Sequence, residues 1–324
     1  MTHTTIKSIA TGILTGVFLV CSFAAWAQAW PARPVRVVVP FAPGGGADLT
    51  ARPVAQKLSE SLGQQFIVDN RGGAAGAIGM DIVAKAPADG YTIMIVSGSF
   101  SVTPATQKMS FDPITAIVPV VEIGYTPFVL MVHPSLPPRS TKELIDLVRS
   151  RPGKIAYASS GMGGLTHLGT ELFASMAKLQ MIHVPYKSTG AAMIDLLSGQ
   201  VPMMIGSLLG TVTYFESGRL RPVAVTSAQR WPSQPKLPAI AETLPGFETV
   251  VYYGVLAPKG TPPQIMDKLN LEVNRILQDG SVKKGLQDQG MAASGGSAEE
   301  FGRRIRTDYQ RWIKVVKDTN FKIE

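Results

Sequence analysis

Short β-branched runs alternate along this chain with stretches whose apolar residues recur every three or four positions, the pattern of strands followed by amphipathic helices. Val35 to Val39 reads as a strand, and Leu49, Val54, Leu58 and Leu62 follow at helical spacing. Phe66 to Asp69 is again strand-like, Ile78, Ile82 and Val83 fit a helix ended by Pro87-Ala88-Asp89-Gly90, and Tyr91 to Val96 is a third strand. Repetition of this β-loop-α unit predicts an α/β fold with mixed, mostly parallel sheets and ligands at the carboxyl ends of the strands. Asp48 is the expected N-cap of the first helix. That places Pro53 just past the first turn, where it removes an intrahelical bond, and a start at Thr50 is the alternative.

A second block begins near Thr126 to His133, where the apolar run Phe128 to Val132 reads as a crossing between two domains. It contains a helix over 141–150, a strand over 154–158, a helix reaching Lys178, a strand over 181–186 and a helix through Leu197. The return crossing is expected at Tyr252 to Pro258, after a proline-rich loop over 230–247. Ile265, Met266, Leu269, Val273, Ile276 and Leu277 then mark one helix. Phe301, Ile305, Tyr309, Trp312, Ile313 and Val316 mark the buried stripe of another, with Arg303, Arg304, Arg306, Arg311, Lys314 and Lys317 on its solvated face. The expected division is a leader at 1–29, domain 1 at 30–127, domain 2 at 128–252, and a return to domain 1 at 253–324. Two crossings make a natural hinge.

Three glycine-rich turns sit between strand-like and helix-like runs: Pro43-Gly44-Gly45-Gly46-Ala47-Asp48, Arg71-Gly72-Gly73-Ala74-Ala75-Gly76, and Ser159-Ser160-Gly161-Met162-Gly163-Gly164 with Leu165-Thr166-His167 following. Turns of this kind leave backbone N–H groups unpaired at the positive end of a helix dipole, where a carboxylate or phosphate is held without a cationic side chain. Each residue also has a plainer role. The glycines supply positive φ in tight turns, Asp48 caps a helix, His167 bonds to its own loop, and Tyr186 with Lys187 is either a surface pair or part of a site.

Residues 1–29 carry Lys7, an apolar stretch from Ile9 to Phe23, and small residues at Ala25-Trp26-Ala27 or Ala27-Gln28-Ala29, which predicts a cleaved secretory leader. Thr11, Gly12, Thr15 and Gly16 interrupt the stretch and keep it below the ~20 residues of a membrane span. A lipid anchor on Cys21 is the next alternative, and Val20 is bulkier than the residue such a signal prefers. Cys21 is the only cysteine, so disulfides, thiolate catalysis and cysteine-held metals leave with the leader. Lys and Arg number 31 against 23 Asp and Glu, a net of +8. In an exported chain this balance points to acidic ligands or an anionic membrane surface rather than nucleic acid.

No catalytic residues, cofactor or metal are expected. The chain lacks a G-x-S-x-G elbow, a G-x-x-x-x-G-K-[ST] loop and an H-E-x-x-H helix, and its turns miss G-x-G-x-x-G at Leu49 and Thr166. A hydrolase built from scattered Ser and His stays open as a rival, since triads are recognised by geometry. A ligand sensor docked on a membrane signalling protein is a third class.

Val39-Pro40-Phe41-Ala42-Pro43-Gly44-Gly45-Gly46-Ala47-Asp48, Asp69-Asn70-Arg71-Gly72-Gly73-Ala74-Ala75-Gly76 and Ala88-Asp89-Gly90-Tyr91-Thr92 resemble the Bug (TctC-type) substrate-binding proteins of tripartite tricarboxylate transporters. So do Tyr157 to Gly161, His183 to Lys187, Asp195 to Val201 and Leu256 to Pro262, in family order along essentially the whole processed chain. The resemblance implies a monomeric periplasmic receptor of the two-domain Venus flytrap type (type II) with a two-strand hinge. It implies capture of a small organic carboxylate and delivery to membrane subunits. By matching motif, the anchors it implies are Gly44, Gly45, Gly46 and Asp48, with Ala74 and Gly76, and in the second domain Ser159, Gly161, Gly163, Gly164 and His167. Tyr186 and Lys187 complete the candidate set. Ser188, Pro202 and Thr103-Pro104 depart from the family pattern near regions that tune the ligand, so the cargo does not carry over.

Overall fold

The computed structural model describes residues 30–319 and 321. The leader expected at 1–29 lies outside them. Of the unit that precedes Arg33 only residues 30–32 are described, and every element below belongs to the unit that starts at Arg33.

The first sheet contains β1 (Val35–Val39), β2 (Phe66–Asn70) and β3 (Thr92–Ser97). β1 lies between the other two in parallel, with Val37 opposite both Val68 and Ile93. That explains its nearly unbroken apolar run: a strand covered on both faces has no solvent side to mark with polar residues. The sheet continues through β9 (Val250–Pro258), antiparallel to β3, and β4 (Ile117–Val132), antiparallel to β9, and ends on β10 (Ala292–Ala293).

β4 is long enough to serve two sheets. Its first part, to Pro127, pairs with β9; from Phe128 to Val132 it pairs with β7 (Met203–Ser207) and β8 (Arg221–Val225). Parallel partners β5 (Ala156–Ser159) and β6 (Ile182–Pro185) complete the second sheet. The chain returns beside the same point. Thr226 Oγ1 accepts the Phe128 N–H at 2.8 Å and bonds the Thr249 carbonyl at 2.6 Å, while Thr249 N donates to the Thr226 carbonyl. A mixed α/β fold of two lobes therefore joins through two adjacent chain passages.

The helices are α1 (Gly46–Leu62), α2 (Ala77–Ala84), α3 (Ser99–Thr106), α4 (Pro113–Ala116), α5 (Thr141–Ser150), α6 (Leu165–Ala177), α7 (Thr189–Ser198), α8 (Val212–Glu216), α9 (Pro263–Gln278), α10 (Gly280–Asp288) and α11 (Ala298–Asp318). Each lobe has its own core. Val38, Met94, Phe100, Leu256 and Phe301 cluster in the first, and Val129, Met131, Leu196, Met204 and Val225 in the second. α11 returns to the first lobe through Phe301 and Ile305, starting from a reciprocal Ser297–Glu300 cap.

Two local expectations need correction. The N-cap of α1 is Gly45, not Asp48, and the helix starts at Gly46 with Pro53 inside it. Asp48 lies in the first turn, where its carboxylate is held by the preceding loop. The basic face of α11 is also more than a solvated surface. Arg304 reaches the buried Glu122 at 2.7 Å and stacks over Tyr125, Arg311 bonds the Glu248 carbonyl, and Ile313 is 39% exposed rather than part of the buried stripe. Arg304 is thus anchored to the first lobe and Arg311 to the crossing segment.

Candidate interlobe binding site

Strand ends and helix starts meet between the lobes. Ser97 ends β3, Ser207 ends β7, and Ser160 follows β5, each at the carboxyl end of its strand. Opposite them stand the first residues of α1, α3, α6 and α7. All four helix starts line one narrow cavity of about 30 Å³, through Gly46, Ser99, Leu165 and Thr189. The apolar walls are Phe41, Ala47, Phe128, Leu165 and Val251, and among the described residues no charged side chain lines it. First-turn N–H groups have no intrahelical acceptor, so the cavity collects backbone donors and the positive ends of helix dipoles from both lobes.

Hydroxyls add further donors. Tyr253 is 2% exposed, and its Oη lies 3.3 Å from Ser207 Oγ. Burial pushes the Tyr253 phenol up to about 12, so at neutral pH it keeps its proton. Ser160 Oγ and Thr166 Oγ1 are 2.9 Å apart, and Ser97 Oγ accepts the Ser99 N–H at 3.4 Å. The lobes are in contact around this space. Thr106 Oγ1 donates to the Gly163 carbonyl at 2.7 Å, and Gln107 Nε2 to the Met162 carbonyl at 2.9 Å.

Of the residues singled out from the sequence, Gly45 and Gly46 line the cavity. Gly46 has no room for a side chain, because a Cβ there would collide with Tyr253 Oη. Gly44 borders an adjoining groove with Thr189 and Leu197, and its N–H donates to Asp48 Oδ2 at 3.0 Å. Asp48 is turned away from the cavity and also binds Arg52 and Asn70. Burial alone would raise its pKa, but the hydrogen bonds from Arg52, Gly44 and Asn70 outweigh burial and hold it below the usual carboxylate range. Gly76 caps α2 at positive φ over Phe41 and Met80.

Ala74, Gly161, Tyr186 and Lys187 meet in a second groove that shares Ser160 with the cavity. Gly161 has φ +143°, a backbone conformation that favours glycine, and it lies beside Ala75 of the first lobe. Tyr186 spends its hydroxyl on Asp195 at 2.7 Å. Gly164 is the N-cap of α6, and Gly163 N donates to His167 Nδ1 at 3.0 Å. His167 is thus engaged by its own loop and stacks at 3.5 Å on His183, which in turn meets Ser159 Oγ at 2.6 Å. Burial pushes both imidazoles down, to about 3 for His167 and about 4 for His183.

Sequence reasoning missed Ser97, Ser99, Thr189, Ser207 and Tyr253 as lining residues. The first four share one signal, position at the carboxyl end of a strand or the start of the helix after it. Tyr253 lacks even that, since it lies within an antiparallel strand. Among the described residues no group of three or more His, Cys, Asp or Glu is placed to hold a metal ion, and no helix is long and apolar enough to cross a membrane. Ser159 and His183 are in contact, but no carboxylate bonds the other imidazole nitrogen among the described residues, and the pair lies outside the cavity lining.

The family model for the tripartite tricarboxylate transporter family receptor, TctC, matches residues 50–321. Protein BugT of Bordetella pertussis is 37% identical over 302 residues, covering 92% of this chain and 93% of that protein. The solved structure of R. palustris Rpa4515 with adipate is 40% identical, with a TM-score of 0.87 over 90% of this chain and 98% of its own. MatC of Rhodopseudomonas palustris with bound malate is 29% identical, with a TM-score of 0.85 over 89% of this chain and 100% of its own.

Proposed function

The chain belongs to the tripartite tricarboxylate transporter receptor family, and from that membership we propose that it captures a small organic carboxylate between its lobes and delivers it to membrane subunits of such a transporter. A family of periplasmic solute-binding receptors makes this a binding protein rather than an enzyme. The proposal extends to export by the leader at 1–29, to hinging where β4 and the 226–249 segment pass between the sheets, and to release of the cargo chemically unaltered.

One observation carries the reading: four helix starts, two from each lobe, converge on a cavity that no charged side chain lines among the described residues. Such a shell compensates negative charge with fixed dipoles and N–H donors, which is the chemistry a carboxylate requires. Because donors come from both lobes, an anion binds best when the lobes are shut, so cargo and closure reinforce one another. The relatives solved with adipate and with malate support acids of about that size.

The test is a thermal-shift screen of the leaderless protein against mono-, di- and tricarboxylates, with neutral sugars and peptides as controls. Ligand at a hundredfold excess over Kd stabilises the fold by about 2.7 kcal/mol. A shift from one or more organic acids supports the reading. A shift produced only by a sugar or peptide refutes it.

A further inference from the structure

Ser207 comes from β7 of the second lobe and Tyr253 from β9 of the first, so their hydroxyl contact at 3.3 Å bridges the two sheets inside the cavity. Both side chains are 2% exposed. Ser207 Oγ also accepts the Leu209 N–H at 3.1 Å. The pair owns two hydroxyl protons, and the contact between them uses one. Among the described residues neither oxygen has another acceptor to donate to. One buried proton is therefore left over, and the place it faces is fixed by Gly46. The absence of a side chain at Gly46, where a Cβ would collide with Tyr253 Oη and lie 3.3 Å from Ser207 Oγ, sets the hydroxyls directly against the start of α1.

We propose that the Ser207–Tyr253 pair is the specificity element of the cleft, donating its spare proton to a cargo oxygen and so selecting carboxylic acids that carry no cationic amine. This rests on the receptor reading above. Of the two donors the phenol is the stronger acid, so it turns to the anion while Ser207 donates to Tyr253 Oη and positions it. An ammonium group in the same place meets proton donors and helix N-termini. Among the described residues no Asp or Glu lines the cavity to compensate it, and the neighbouring Asp48 is committed to Gly44, Arg52 and Asn70. A buried cation without a partner is strongly disfavoured.

Titration calorimetry on the leaderless wild type, Tyr253→Phe and Ser207→Ala tests this with three matched pairs: succinate and aspartate, glutarate and glutamate, adipate and 2-aminoadipate. Wild type binds at least one amine-free acid tenfold or more tightly than its amino counterpart. Tyr253→Phe weakens that acid by roughly tenfold to a hundredfold, the worth of one hydrogen bond to a charged group, and narrows the preference while the unliganded unfolding temperature stays near wild type. Ser207→Ala weakens it less, and carries the test with the wild-type preference if Tyr253→Phe does not fold. Equal or tighter binding of the amino acids, or unchanged affinity and preference in Tyr253→Phe, overturns the inference while leaving the receptor reading intact. Binding of none of the six acids overturns the inference, and the wider screen of organic acids then decides the receptor reading.

Discussion

Replacing Gly45 by valine separates lobe closure from folding. Gly45 has φ −86° and ψ 168°, an extended backbone that valine adopts without strain. A Cβ at this position would lie 4.0 Å from Thr189 Cβ, the first residue of α7 in the opposing lobe, and 3.9 Å from the Ala42 carbonyl. Alanine therefore fits in ordinary contact. Each valine Cγ extends about 1.5 Å further, and the one facing Thr189 overlaps it unless the lobes stop about an ångström short. Overpacking of this kind costs about 1–3 kcal/mol, which as a coupling between closure and binding is a loss of roughly 5- to 150-fold in affinity. Both variants lose up to about 1 kcal/mol of stability because Ala and Val are poorer N-caps than Gly, so Gly45→Ala is the reference. Calorimetric titration with an acid found in the screen reads the difference, and thermal unfolding without ligand confirms equal folding. Equal affinity in Gly45→Val and Gly45→Ala would refute contact of these two helix starts in the closed form.

Further outcomes follow from the same packing. Arg304→Ala leaves the buried Glu122 carboxylate without its 2.7 Å partner and destabilises the first lobe by about 3 kcal/mol in denaturant titration; adding Glu122→Gln restores part of that loss. Thr226→Val removes the acceptor of the buried Phe128 N–H at the crossing and costs about 1–3 kcal/mol by the same measurement. The stacked His167 and His183 bind protons far less readily folded than unfolded, at about 3 and about 4 against an ordinary value near 6.5. Between those limits the unfolded chain takes up more protons, so stability falls as pH drops from about 6.5 toward 4. Half-buried Asp308, pushed up to about 6 by desolvation, acts in the opposite direction over about pH 4 to 6. The slope of unfolding temperature against pH in wild type minus that in His183→Gln isolates the imidazole contribution, and identical slopes contradict it.

The elements of this protein were legible where local chemistry decides them. Val35 to Val39 reads as a strand from its β-branched run, the three-and-four spacing after Ile265 and Phe301 marks two helices, and the glycine clusters mark tight turns before helix starts. Gly46 is the clearest case, although the reason for its glycine, the Tyr253 hydroxyl, lies more than two hundred positions away in the chain. Asp48 was misread because an acidic residue in a first turn resembles a cap, whereas its carboxylate secures the loop before the helix. Ser207 and Tyr253 could not be found by spacing. Their meaning arises when two sheets, built from distant segments, bring both hydroxyls to one point.

A crystal structure of the leaderless protein with an acid from the screen is the most direct test of capture in the cleft. The reading offered here requires a carboxylate inside the cavity, with its oxygens within hydrogen-bond reach of the Gly46 or Ala47 N–H and of hydroxyls from both lobes, and with the acid chemically intact. An acid bound elsewhere on the molecule, or recovered as a different compound, would contradict it.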